Sequence, residues 1–321
     1  MKRSHIFGPV FSRRLGRSLG IDLVPYKTCS LDCIYCQLGG TLCKTVQRES
    51  FVEPDELRGE MAEIERRNPE TDFATLSGSG EPTLSADIGW VIEELKRAAT
   101  APVAVLTNAT LLFDADVRRE LKEADLIVPS LDAGREEEFR LVNRPHPSLE
   151  FDSVVEGLRE FCDSFSRRVW LEVMLVEGMN DSEESLRAIG EIVKGLAVER
   201  VQLNTVTRPP TDKGAKPISS NELSRAAQTL AAISGKRVEV IVEPEMKDGR
   251  PAQDDAKIAL VEMMLRRPCT LSELSKAVGR SVEETQSLLE DISRDQVLGT
   301  ETVGGREFFS VKARELGTSE S

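Results

Sequence analysis

Cys29-Ser30-Leu31-Asp32-Cys33-Ile34-Tyr35-Cys36 places three thiols in eight residues, at C-x3-C-x2-C spacing. A loop this short can bring three thiolates to one metal centre, each reaching a different iron of a cubane cluster. Cluster sites usually supply four cysteines, and no fourth stands close by. Three sulfurs leave one iron open to another molecule, which suits chemistry better than scaffolding. The competing reading is a structural zinc site. Zinc prefers four protein ligands, commonly paired C-x2-C or cysteine with histidine. The only histidines are His5 and His146, and neither has zinc-finger spacing.

Outward from this loop, short β-branched runs alternate with longer amphipathic stretches. Strands are expected over 19–24, 72–76, 103–107, 126–130, 169–175, 200–204 and 238–242. Helical patterns fall over 54–67, 86–99, 114–122, 153–161, 181–195 and 219–233. Asp181 ahead of Glu183 and Glu184, and Ser219 ahead of Glu222, are helix-start signals. Repeated strand–helix alternation predicts an α/β fold with a parallel sheet. Six or so units make a partial (β/α)6 TIM-like barrel, with an open doubly wound sheet as the alternative. In both, ligands sit at the C-terminal ends of the strands.

A second glycine-bearing segment, Gly78-Ser79-Gly80-Glu81-Pro82, follows the strand at 72–76. Glycines let backbone approach a ligand closely, and Glu81 can hold the shape of the turn. Alone, the segment also reads as a plain strand-to-helix turn with a solvated Glu81. Other strands end in Asn108, Ser130, Glu172 and Asn204, at the face where such a barrel opens.

The bulk properties are those of a globular chain. There are 321 residues, 40% hydrophobic and 30% charged, enough for one large and one small domain. Aromatics, at 5%, are too sparse for base-stacking platforms. A net charge of −13 disfavours non-specific nucleic-acid binding. Residues 1–48 carry +6, leaving −19 for the rest, so a basic patch is expected around the cysteines. The N-terminus lacks a signal-peptide run, and no stretch approaches a membrane span. Six cysteines, three of them crowded together, fit metal or redox chemistry in a reducing, cytoplasmic compartment.

The segment from Glu243 to Asp254 marks a boundary. The expected organisation is a barrel domain over 1–245, a linker over 246–253, a winged-helix-like domain over 254–316 and a disordered tail over 317–321. The second domain reads as helices over 254–266, 271–278 and 282–294, then strands over 297–302 and 307–311 joined at Gly304-Gly305. Its recognition-helix position, 281–294, carries Glu283, Glu284, Glu290 and Asp291 against Arg294 alone. That net −3 disfavours DNA readout and favours docking.

C-x3-C-x2-C with Tyr35 before the last cysteine resembles the signature of the radical S-adenosylmethionine (SAM) superfamily. Gly80-Glu81-Pro82 resembles that family's glycine-glycine-glutamate-proline segment, with Ser79 in a glycine position. The resemblance implies a [4Fe-4S] cluster on Cys29, Cys33 and Cys36, with SAM chelating the open iron. One electron then cleaves the sulfonium, giving methionine and a 5′-deoxyadenosyl radical that abstracts hydrogen from a substrate. It also implies SAM contacts from Tyr35, Gly78, Ser79, Gly80, Glu81, Pro82, Asn108, Ser130, Glu172 and Asn204. An electron donor such as flavodoxin or ferredoxin is implied as well.

Phe7-Gly8-Pro9-Val10, Ser12-Arg13-Arg14-Leu15-Gly16, Gln37-Leu38-Gly39, Asn143-Arg144-Pro145 and Arg208-Pro209-Pro210 look like segments of the wyosine-synthesis-like group. That implies a nucleotide within tRNA, or a related anionic molecule, as substrate, with Arg13 and Arg14 as candidate anion-binding forks. A surface role for those arginines is the competing reading. The group's second cluster sits on cysteines upstream of the triad, and this chain has none before Cys29. Two functional alternatives stay open: modification of a peptide or protein recognised by the winged helix, and a non-catalytic Fe–S or zinc sensor.

Overall fold

The computed structural model describes residues 4–67, 70–98, 101–241 and 256–311. The chain divides into two compact units. One is Met1–Val206 with Pro210–Glu243; the other is Thr207–Pro209 with Pro244–Ser321. The expected linker at 246–253, the tail at 317–321 and Val242 lie outside the described residues.

The first unit is a mixed α/β fold. Its strands are β1 (Ile6–Ser12), β2 (Gly16–Ile21), β3 (Thr28–Cys29), β4 (Cys43–Lys44), β5 (Phe73–Leu76), β6 (Val103–Thr107), β7 (Leu126–Pro129), β8 (Arg168–Leu175), β9 (Arg200–Thr205) and β10 (Val238–Val240). Its helices are α1 (Pro54–Arg67), α2 (Ile88–Ala98), α3 (Ala115–Glu120), α4 (Glu136–Glu138), α5 (Phe151–Ser164), α6 (Glu183–Lys194) and α7 (Ser220–Ser234). One eight-stranded sheet runs β1-β2-β5-β6-β7-β8-β9-β10. Only β1 is antiparallel to its neighbour. The order follows the chain, as crossover helices on one side of a curving parallel sheet require, and is consistent with the expected partial barrel.

Period-two alternation sorts the strand residues into two clusters. Val103, Val105, Leu171, Val173 and Leu203 pack with helix residues Ile92, Leu95, Leu158, Phe161, Ile189 and Leu230. Ala104, Leu126, Val128 and Trp170, from the alternate positions, pack with Leu15 of the β1–β2 turn. Each fully buried aliphatic side chain contributes roughly 2 kcal/mol.

Several boundaries differ from expectation. β2 lies three residues earlier than 19–24, so the cysteine loop is preceded by irregular backbone from Asp22. β1 was not anticipated; Gly8-Pro9 interrupts its alternation where the register shifts between Phe7 and Val10. Ser182, not Asp181, caps α6 by accepting the N–H of Ser185. Ser219 caps α7 in a reciprocal box with Glu222, and Gly235 ends that helix in the left-handed region at φ 68°.

The second unit contains α8 (Ala256–Arg266), β11 (Cys269–Thr270), α9 (Leu271–Val278), α10 (Val282–Asp295), β12 (Leu298–Val303) and β13 (Arg306–Val311). Its strands form an antiparallel sheet in the order β11-β13-β12. Thr270 and Ser281 start α9 and α10 with capping boxes to Glu273 and Glu284. Leu260, Met264, Cys269, Leu274, Leu289 and Phe308 are buried within it. The two-residue β11 was too short to show in the sequence.

Candidate active site

The cysteine loop lies beyond the C-terminal end of β2 and is held by backbone contacts on several sides. Glu81 N–H donates to Thr28 O at 3.1 Å, and Thr45 N–H to Cys29 O at 3.0 Å. Asp32 N–H donates to Asn143 O at 3.0 Å, Ile34 N–H to Val142 O at 2.9 Å, and His146 N–H to Ser30 O at 2.8 Å. Asp212 N–H donates to Ile34 O at 2.9 Å, and Thr211 Oγ1 to Cys36 O at 2.8 Å. The chain thus spends loop backbone groups on fixing where three sulfurs sit.

The sulfurs have N–H donors of their own. Cys29 Sγ accepts from Leu31 N–H at 3.4 Å and Asn108 Nδ2 at 3.5 Å. Cys33 Sγ accepts from Asn143 Nδ2 at 3.5 Å. Burial, then the Glu81 charge, pushes the Cys29 thiol up to about 12. Burial and then Asp132 push Cys33 well above the usual thiol range. Cys36 is also raised by burial, opposed by the Leu38 N–H and by Lys27. Such thiols ionise when a cation is there to receive them.

Three thiols raised by burial, two of them with N–H donors already aimed at the sulfur, fit an iron–sulfur cluster as cationic partner. Among the described residues, no three His, Cys, Asp or Glu side chains are grouped to hold a single metal ion. Cys43 is exposed on β4, while Cys162 and Cys269 are buried.

Glu81 is buried and is not the solvated side chain of a plain turn. It accepts from Thr83 N–H at 3.1 Å and from Thr83 Oγ1, Thr107 Oγ1 and Asn108 N–H at 2.7 Å each. Burial raises its carboxyl, and these bonds, led by Asn108, oppose the rise. Pro82 opens a single 3-10 turn behind it. Ser79 donates its N–H to Asp22 Oδ1 at 3.1 Å and its hydroxyl to Asp22 Oδ2. A Cβ on Gly78 would strike the Asp22 carboxylate, and one on Gly80 would overlap Thr28 O.

Tyr35 donates its hydroxyl to Asp132 Oδ2, which also accepts from Asn143 Nδ2 at 2.8 Å. Met174 N–H donates to Asp132 Oδ1 at 2.9 Å. Burial lifts the Asp132 carboxyl to about 6 against those hydrogen bonds. Ser130 bridges to Glu172 across β7 and β8. Asn204 Nδ2 donates to Glu172 Oε1 at 3.1 Å. The structure therefore brings Tyr35, Asn108 and the Gly78–Pro82 segment to the cysteines, and joins Ser130, Glu172 and Asn204 in a second group along β7–β9.

Arg13 and Arg14 lie in the β1–β2 turn, at the end of the sheet opposite the cysteine loop. Arg14 is ion-paired with Glu172. The expected basic patch around the cysteines is dispersed. Arg17 pairs with Glu70 and Arg48 with Glu120, while Lys27 and Lys44 stay beside the loop. The reason is geometric: a strand of six residues carries the chain about 20 Å, so closeness in sequence to the cysteines is not closeness in space. Arg208, of the second unit, is paired with Glu273.

Sequence reasoning missed Asp22, Asn143 and Thr211 as parts of this site. Asn143 ends a π-helical turn, Phe139–Asn143, and Arg144 follows in the left-handed region at φ 45°. Neither feature has a periodic signature, and the only signal was the resemblance carried by Asn143-Arg144-Pro145.

A family model described as the radical SAM superfamily matches residues 23–189. A protein of Brachyspira hyodysenteriae named GTPase Obg is 36% identical over 314 residues, covering 97% of this chain but 46% of that protein, so the chain spans about half of that relative. A UPF0026 protein of Methanocaldococcus jannaschii is 36% identical over 72% of each chain. A solved structure of TYW1 with a lysine-pyruvate adduct bound superposes with a TM-score of 0.53 at 17% identity, covering 76% of this chain and 79% of that one, a likeness of fold.

Proposed function

This chain belongs to the radical SAM superfamily, whose members use a [4Fe-4S] cluster and SAM, and from that premise we propose that it is an enzyme cleaving SAM reductively at a cluster held by Cys29, Cys33 and Cys36. The observation that carries the proposal is three half-buried cysteines on one clamped loop, with N–H groups aimed at the Cys29 and Cys33 sulfurs and the next cysteine in the sequence, Cys43, exposed on β4. Cys29, Cys33 and Cys36 would hold the cluster, which would supply the one electron needed to split the SAM sulfonium into methionine and a hydrogen-abstracting 5′-deoxyadenosyl radical.

The protein's own work is positional. Gly78 and Gly80 bring backbone close to the loop, leaving the segment's carbonyls to accept the SAM ammonium. Glu81 fixes that segment against Asn108. Ser130 offers a polar group to the SAM carboxylate and ribose and Asn204 one to the adenine, with Glu172 holding Asn204 in place. The substrate class is a nucleotide within tRNA or a related anionic molecule. Lys27 and Lys44 beside the cysteines and the wyosine-like sequence segments support it. The electron donor is a flavodoxin or ferredoxin, and the compartment is the reducing cytoplasm. Among the described residues no helix is long and apolar enough to cross a membrane. The second unit is read as a winged helix, on its order of helix, short strand, two helices and hairpin. With an acidic α10 it serves docking rather than DNA readout.

Anaerobic reconstitution followed by SAM and dithionite tests the proposal. Wild type should yield 5′-deoxyadenosine and Cys33→Ala none. A colourless zinc protein without that product would instead establish a non-catalytic sensor. Mass spectrometry of tRNA and peptides from a deletion strain then separates a nucleotide substrate from a peptide.

A further inference from the structure

Two asparagines touch cysteine sulfurs, and each is turned toward its sulfur by a different device. Asn108 Oδ1 accepts from Thr110 N–H at 3.0 Å and Thr110 Oγ1 at 2.7 Å. Its Nδ2 is thereby left facing Ser30 Oγ at 2.9 Å and Cys29 Sγ at 3.5 Å. Asn143, 3% exposed, gives one Nδ2 hydrogen to Asp132 Oδ2 at 2.8 Å and the other to Cys33 Sγ at 3.5 Å. An ionised carboxylate only accepts, so Asp132 forces the amino end of Asn143 toward itself and the sulfur. Tyr35 and Met174 hold Asp132 in turn.

A carboxamide aimed at a sulfur is costly to bury unless that bond is used. An N–H aimed at a ligand sulfur withdraws charge from it, and so favours the reduced, more negative form of a cluster. We propose that Asn143, oriented by Asp132, is a positioning residue that raises the reduction potential of the cluster through Cys33, with Asn108 doing the same through Cys29. The proposal rests on the cysteine assignment made above and adds a role for two residues that bind no iron.

The test is an EPR-monitored redox titration of the reconstituted full-length protein, with iron and sulfide content measured in parallel. Asn143→Leu removes the donor at similar volume, and Asn143→Asp keeps the shape while removing the amide; Asn108→Asp is the matched change at Cys29. The variants should keep wild-type iron and sulfide content. At the wild-type midpoint their ratio of reduced to oxidised cluster should fall about tenfold, a downward shift of about 59 mV for a one-electron couple. Unchanged midpoints in fully loaded variants would overturn the proposal. So would loss of the cluster from both Asn143 variants, which would make the residue structural. Wild type that itself takes up no reducible cluster would overturn the cysteine assignment, and this inference with it.

Discussion

Glu81 accepts the backbone N–H of Asn108 at 2.7 Å, tying the turn after β5 to the end of β6. Asn108 in turn faces Cys29, so the glutamate of one motif and the first cysteine of the other are two hydrogen bonds apart.

That relationship predicts the effect of Glu81→Gln. Four donors converge on a carboxylate that has only acceptors to offer. An amide brings two donors into the same space, leaving at least one buried N–H or O–H unpaired. The variant should be roughly 2 kcal/mol less stable and should load less iron, measured by thermal denaturation and iron assay.

Gly80→Ala should fail for a steric reason. The added methyl would overlap the carbonyl oxygen of Thr28, which is backbone and is fixed by the Glu81 N–H. Relief requires moving β3, and Cys29 with it. Iron content after reconstitution should drop severalfold. Ser79→Ala, which removes one hydroxyl bond to Asp22, should keep most of it.

The Arg14–Glu172 pair predicts a non-additive pair of substitutions. The side chains are 19% and 14% exposed, so removing one partner strands a mostly buried charge. Arg14→Leu should cost roughly 3 kcal/mol. Adding Glu172→Leu should restore much of that loss, because no charge is then left unpaired. Denaturation midpoints of the two single variants and the double variant check this.

Glu273 predicts an acid-dependent contribution to the second unit. Burial would raise its carboxyl, but Arg208 and Arg267 override that and bring it down to about 2 from an ordinary 4.5. A carboxyl lowered on folding contributes stability above its unfolded value, and that contribution is lost as pH falls through the folded value. Glu273 should therefore supply about 3 kcal/mol at neutral pH, fading between pH 4.5 and 2. The stability gap between wild type and Glu273→Gln should close over that window.

Much of the fold was legible because crossover units carry strong periodic signals. Helix α1 and strand β6 fall at the expected bounds, and α9 is bracketed by Thr270 and Gly279 as their chemistry requires. The hairpin of β1 and β2 was not legible. Gly8-Pro9 breaks the alternation, and Leu15 is buried by packing against distant strands. The cysteines were legible because their spacing is itself the chemistry. Asn143 was not: its role comes from a π-turn and a left-handed Arg144 that bring it beside Cys33, 110 residues away in sequence. The Arg14–Glu172 pair was not legible either, because charge counted along the sequence says nothing of which end of a strand it reaches.

On the proposed cysteine assignment, three thiolates leave one iron open for SAM. The most direct measurement is the EPR spectrum of the dithionite-reduced, anaerobically reconstituted protein before and after adding SAM. Wild type should give a [4Fe-4S]+ signal whose g-values shift on SAM addition, and Cys33→Ala no such signal. A reduced cluster whose spectrum is indifferent to saturating SAM, or a protein that binds zinc with a fourth protein ligand, would contradict it.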